Sequence, residues 1–213
     1  MEKIEAIISY AQENLAEEST GHDFAHAQRT AHLAKKIIEE DGLDVERFIV
    51  IASAYLHDVI DDKVAKSPVK AQKDLQYFLQ EVGCSVQEIG AIFDIIQNLS
   101  FLSEMFLSAK PLSIEGKIVQ DADRLDALGA GGILRAAYFS GVYGQTIYDK
   151  NQPPQNFHTK EEYRQPTTMI NHFYEKLFLL PEMMNTEYGK KEGARQKAFM
   201  QEFLEEFYKE WQI

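Results

Sequence analysis

The chain has 213 residues, and what it lacks narrows its class first. There is one cysteine, Cys84, so an internal disulfide is excluded and a reducing compartment is implied. Cations are outnumbered, with 22 Lys and Arg against 34 Asp and Glu. The resulting net charge of −12 argues against a long nucleic-acid duplex as partner, because such binding needs clustered cations. No window approaches the roughly 18 unbroken apolar residues of a membrane-spanning helix. The opening segment, MEKIEAIISYAQENLAEE, carries acidic residues throughout and no uninterrupted apolar centre, so it does not read as a signal peptide. These absences predict a cytoplasmic protein that uses neither membrane nor long nucleic acid. A small phosphorylated ligand remains compatible with the charge if a metal and a few local cations offset it.

Alternating strand patterns are also scarce. Apolar positions instead recur at three- and four-residue steps almost everywhere, and 45% of the residues are hydrophobic, enough to bury one substantial core. The fold class is therefore all-α, a single domain over 1–213 with about eight to ten helices. Helices are expected over about 2–18, 23–40, 44–58, 68–82, 85–99, from about 113 onward, 167–180 and 190–211. Ser67-Pro68 and Ser85 read as helix starts, and Asp41-Gly42 as a stop. Ala52, Ser53 and Ala54 suggest a helix that its neighbours approach closely. Gly129-Ala130-Gly131-Gly132 should bend its helix or admit another backbone. Residues 141–166 lack periodicity and read as a long loop, of the kind that often serves as a functional lid. Phe199, Phe203, Phe207 and Trp211 form a stripe at helical spacing, which suits core packing, with a homodimer face as the alternative.

The informative polar residues sit on these apolar helices. They fall in GHDFAHAQR, then His57-Asp58, then Asp61-Asp62-Lys63, then Asp121-Ala122-Asp123-Arg124. Buried carboxylates are costly unless paired or metal-bound, so acids embedded in core helices need a cation. His26, His57, Asp58 and Asp123 would supply two imidazole nitrogens and two carboxylates, which together cancel a divalent charge. Such a mixed set suits one transition metal, Mn²⁺ foremost, with Co²⁺, Ni²⁺, Fe²⁺, Zn²⁺ or Mg²⁺ as alternatives. Asp121 is a rival to Asp123; residues two apart lie about 200° apart on a helix, so both cannot easily face one ion.

The ordered set His … His-Asp … Asp on helices resembles the HD superfamily of metal-dependent phosphohydrolases. The strings GHDFAHAQR, AYLHDVIDDK, IVQDADRLDALGA and NHFYEKL, with the C-terminal ARQKAFMQEFLEEF helix, look like the small bacterial members that act on nucleotides. The resemblance implies that His26 is the first ligand, His57-Asp58 the tandem pair and Asp123 the last ligand. It implies a nucleotide as the small-molecule substrate, most simply a nucleoside triphosphate cleaved to the monophosphate and pyrophosphate. A 5′-nucleotidase, a phosphodiesterase or a non-turning nucleotide sensor are the alternatives. Where some relatives have HDxxE, this chain has HDxxD, so Asp61 is one methylene shorter than the catalytic acid it replaces.

In this reading Asp58 and Asp61 orient or deprotonate the attacking water. Arg29 and Lys63 offset charge on the phosphate. His22 contacts substrate, supports the ligands or caps the helix that presents His26. His32, His158 and His172 show no partner in the sequence itself, and His158 stands apart because it falls in the long loop.

Overall fold

The three- and four-residue periodicity is realised along most of the chain. A computed structural model describes residues 2–211 apart from Ser19, Lys63, 107–109, His158, Arg164 and Pro166, and of Ser103, Phe106 and Lys160 the backbone only. Its elements are α1 (Glu2–Asn14), α2 (Phe24–Glu40), α3 (Arg47–Leu56), α4 (Pro68–Glu81), α5 (Val86–Ile96), α6 (Phe101–Phe106), α7 (Ile114–Asp126), α8 (Gly129–Val142), α9 (Lys160–Tyr163), α10 (Met169–His172) and α11 (Glu187–Glu210). The fold is all-α, with no strand among the described residues. None of these helices is long and apolar enough to cross a membrane. The chain divides into two compact units, Met1–Asp123 and Arg124–Ile213.

In the first unit α3 is the centre. A helix that is apolar all round must be buried, and every side chain from Ile49 to Leu56 is. It packs against α2, α1 and α5. Ala52, Ser53 and Ala54 are fully buried, and α2 contributes the small residues Ala27, Ala31 and Ala34, none more than 1% exposed. Small side chains on both helices permit a short interaxial distance. Helix starts follow local chemistry. The Asp23 carboxylate accepts from the His26 N–H at 2.8 Å, and Ser85 with Glu88 forms a reciprocal capping box. Ser67 occupies the cap position before Pro68, but its side chain makes no capping bond; the proline alone marks that start. Short α6, absent from the sequence reading, supplies Glu104, which with the Leu99 carbonyl accepts from Gln120 of α7.

In the second unit the expected bend at the glycines is a full break. α7 ends at Asp126, Gly129 takes a left-handed φ of +66°, and α8 begins. At Gly132 a Cβ would lie 2.2 Å from the Ala127 carbonyl oxygen, so only glycine fits. The segment after α8 is tied at several points. Met169 and Ile170 N–H groups donate to the Thr146 and Ile147 carbonyls, and Asn171 donates to the Gln152 carbonyl. Buried Glu175 accepts from the Gln155 N–H and the Thr167 hydroxyl. The helix expected over 167–180 changes pitch: Phe173–Leu177 forms a π turn closed by Phe178 N–H on the Phe173 carbonyl at 2.8 Å. The C-terminal aromatic stripe is not the core face expected: Phe199 and Trp211 are exposed, Phe203 and Phe207 are half-buried and stack on Phe173 and Trp211, and the buried side of α11 is formed by Met200 and Leu204.

The two adjacent glycines of α8 give a direct check. Gly132→Ala should lower stability by about 1–3 kcal/mol or more, because the clash is with backbone. Gly131→Ala, with nothing within 4 Å of its Cβ position, should be neutral or stabilising by up to about 1 kcal/mol. Thermal melts of the pair separate the two; equal effects would refute the break geometry.

Candidate metal centre

Three helices of the first unit deliver the polar side chains to one point. His26 lies in the first turn of α2, whose start Asp23 fixes. His57 and Asp58 continue directly from the end of α3, and Asp123 projects from α7. The Nε2 atoms of His26 and His57 are 3.0 Å apart. Asp58 Oδ2 lies 3.4 Å from the first and 3.3 Å from the second. Asp123 Oδ1 lies 3.3 and 3.7 Å from the same two nitrogens. Neighbouring ligands held at about 2.1 Å around a single ion stand roughly 3.0–3.4 Å from one another. The four groups therefore have the spacing of a coordination shell.

The hydrogen bonds support the same reading. The Ala54 carbonyl, 2.8 Å from His57 Nδ1, can only accept, so Nδ1 carries the proton and Nε2 is aimed at the cluster. His26 is fully buried and Asp58 nearly so, whereas the Asp123 side chain is 33% exposed and leaves the group one open side. Converging, buried acceptor atoms need a shared cation or proton. In the chain alone a proton takes that part. Burial disfavours the charged His57 ring, yet the Asp58 and Asp123 carboxylates beside it outweigh burial and raise its pKa to about 9. Burial likewise opposes ionisation of Asp58, but His57 and His22 hold its carboxyl well below the usual range. Burial opposes ionisation of Asp123 too, and the imidazoles of His26 and His57 depress it. Among the described residues, His26, His57 and Asp123 form one metal-competent group and His22, His26 and Asp58 another, with His26 in both. The donor set fits a divalent transition metal.

Other candidates from the sequence fall in different places. Asp121 is fully buried on α7 and belongs to neither group, so Asp123 is the aspartate that reaches the imidazoles. His22 approaches the cluster from the turn before α2, its Nδ1 3.0 Å from Asp58 Oδ2. Asp61 stands in the turn after α3, its N–H donating to the Asp58 carbonyl at 3.1 Å, with its side chain half-buried and outside both groups. Arg29 is exposed one turn beyond His26. Lys63 and His158 lie outside the described residues. Sequence reasoning did not single out Asn171 and Glu175, which anchor the long loop. Their signal was the NHFYEKL string, which the resemblance includes without giving either residue a role.

A model of the HD domain matches residues 23–128, the stretch that holds all four converging side chains. Relatives extend the likeness over nearly the whole chain. A solved protein from Lactobacillus plantarum is 42% identical, with a TM-score of 0.88 and 98% of this chain and 96% of that one covered. An HD-superfamily hydrolase from Bacillus thuringiensis is 38% identical, with a TM-score of 0.75, covering 99% of this chain and 97% of its own. YpgQ of Bacillus subtilis, described as an uncharacterized protein, is 36% identical over 94% of this chain and 89% of its own. The crystal structure of YpgQ in complex with ADP superposes with a TM-score of 0.76 at 32% identity, covering 98% of this chain and 97% of that one. The chain belongs to the HD superfamily of metal-dependent hydrolases.

Proton and metal compete for His57, which sets a pH dependence. An imidazole with a pKa raised on folding stabilises the fold below its unfolded value near 6.5 and loses that contribution as pH rises through about 9. Metal affinity runs the other way, rising about tenfold per pH unit below 9 as one proton less must be displaced. Between pH 6.5 and 8.5 the gap in Tm between Mn²⁺-loaded and chelator-treated protein should therefore widen. A constant gap in differential scanning fluorimetry would count against His57 as a ligand.

Proposed function

We propose that this protein is a metal-dependent nucleotide phosphohydrolase, and within that class a nucleoside triphosphate pyrophosphohydrolase. Water adds to the α-phosphorus, the bond from that phosphorus to the bridging oxygen breaks, and the nucleoside monophosphate and pyrophosphate depart. The observation that carries the reading is the convergence of two imidazole nitrogens and two carboxylate oxygens at 3.0–3.7 Å in a buried site with one open side. YpgQ, crystallised in complex with ADP, supports the substrate class.

His26, His57, Asp58 and Asp123 would hold a divalent ion, Mn²⁺ foremost, which when bound would supply Lewis acidity toward water and a phosphoryl oxygen. Asp58 and Asp61 orient the attacking water, Asp61 receives its proton, and Arg29 and Lys63 meet the charge gathering on the phosphate. His22 supports Asp58. Hydrolysis is direct. The one thiol, Cys84, is buried, and that burial pushes its pKa up, away from nucleophilic use.

The test is a chelated enzyme restored with Mn²⁺, Co²⁺, Ni²⁺ or Mg²⁺ and offered ribo- and deoxynucleoside tri-, di- and monophosphates, with phosphate and pyrophosphate measured separately. Pyrophosphate from triphosphates is the expected product. Asp58→Ala should lose more than about 100-fold in activity, since it removes a ligand, and Asp61→Asn about 100-fold if it handles the proton. Inorganic phosphate from monophosphates instead would identify a nucleotidase. Full activity of Asp58→Ala would overturn the mechanism.

A further inference from the structure

The turn between α1 and α2 contains a carboxylate that the mechanism has not used. Glu18 follows α1, its N–H closing on the carbonyl of Leu15 at 3.3 Å, and Leu15 is buried in the core of the first unit. The carboxylate thus projects from a fixed base. Oε2 accepts the backbone N–H of His22 at 2.7 Å. Oε1 accepts the backbone N–H of Thr20 at 2.7 Å and also the Thr20 hydroxyl. Three donors on one carboxylate, two of them backbone, make a stiff turn, because charge-assisted hydrogen bonds are the strong ones. Gly21 completes it with a φ of +95°, a left-handed conformation that favours glycine. Asp23 then caps α2 and sets His26.

His22 leaves this turn with its ring in one direction. Its Nδ1 lies 3.0 Å from Asp58 Oδ2. A carboxylate oxygen accepts, so in this contact the ring nitrogen is the donor. The same Oδ2 atom faces Nε2 of both His26 and His57. His22 therefore locks the rotamer of the oxygen that completes the shell, and the backbone that aims His22 is held by Glu18. A continuous series of contacts runs from buried Leu15 through Glu18 and His22 to Asp58.

We propose that Glu18 is a positioning residue of the metal centre, acting on Asp58 through His22. Its carboxylate bonds Thr20 and His22 and not the converging ligands. Its action needs two acceptor oxygens, one for each side of the turn. A glutamine offers one acceptor, so it can satisfy Thr20 or His22 but not both. An alanine satisfies neither. The proposal rests on reading His26, His57, Asp58 and Asp123 as a metal centre, and does not depend on which nucleotide is cleaved.

Cobalt binding tests it without substrate. Co²⁺ is titrated into chelator-treated wild type, Glu18→Gln, His22→Ala and the double variant, following the visible absorption bands and the affinity. Histidine ¹⁵N spectra of the metal-free proteins report the His22 ring. Glu18→Gln should weaken Co²⁺ by at least about tenfold, the usual cost of removing a supporting partner, and should shift the His22 ring resonances. In the His22→Ala background the same substitution should cost less than about twofold, because its route to Asp58 is already gone. Gly21→Ala, which disturbs the turn from a different position, should mimic Glu18→Gln. Loss of equal size with and without His22, or no loss in the presence of His22, would overturn the proposal. Failure of wild type to bind Co²⁺ at all would instead reject the metal centre itself.

Discussion

Two carboxylates and two imidazole nitrogens held within a few ångströms, with most of their surface out of water, cannot stay together without positive charge between them. That requirement governs the first unit. Separate carboxylates would each pay heavily for burial, and ring nitrogens 3.0 Å apart repel unless one of them carries a proton or a cation lies between them. A proton on His57 meets the requirement in the chain alone, and a divalent ion meets it more fully by matching both negative charges. The packing of α2 against α3, with Asp123 reaching in from α7, is the scaffold for that arrangement.

Bringing His26 and His57 so close depends on side chains with no chemistry of their own. Ala27, Ala31 and Ala34 on α2 and Ala52, Ser53 and Ala54 on α3 are buried and small, which lets the helices approach. The ligands then sit at helix ends: His26 just inside the start of α2, His57 and Asp58 just past the end of α3. An aspartate at a helix C-terminus is unfavourable by itself, since it opposes the helix dipole. Its place is explained by His57 and His22, which more than offset that repulsion and keep it ionised.

Much of this was legible in the sequence, because the ligands lie on strongly periodic helices and the helical angle between Asp121 and Asp123 allows only one of them to face a given ion. The all-α class and most helix positions follow from the same periodicity. The break between α7 and α8 was harder. Glycines announced an irregularity, but whether a helix bends or stops depended on the Ala127 carbonyl, which only the folded backbone places against Gly132. The π turn at Phe173–Leu177 left no pattern, since one extra residue per turn barely alters an apolar stripe. His22 was ambiguous for a related reason: its partner Asp58 is 36 residues away, and nothing local distinguishes a cap from a contact across helices.

On the proposed mechanism Asp58 and Asp61 do different work. Asp58 is held far below the ordinary carboxylate range by His57 and His22. A group so depressed is a poor proton acceptor near neutrality, because catalytic bases work best with a pKa close to the operating pH. Its contribution is charge and geometry. On the proposed mechanism the proton of the attacking water then falls to a carboxylate outside the converging group. Asp61 is joined to Asp58 by a backbone hydrogen bond and belongs to neither metal-competent group. Its side chain, one methylene shorter than the glutamate some relatives carry there, gives up reach. On that mechanism the shortened HDxxD string would constrain where the nucleophile sits.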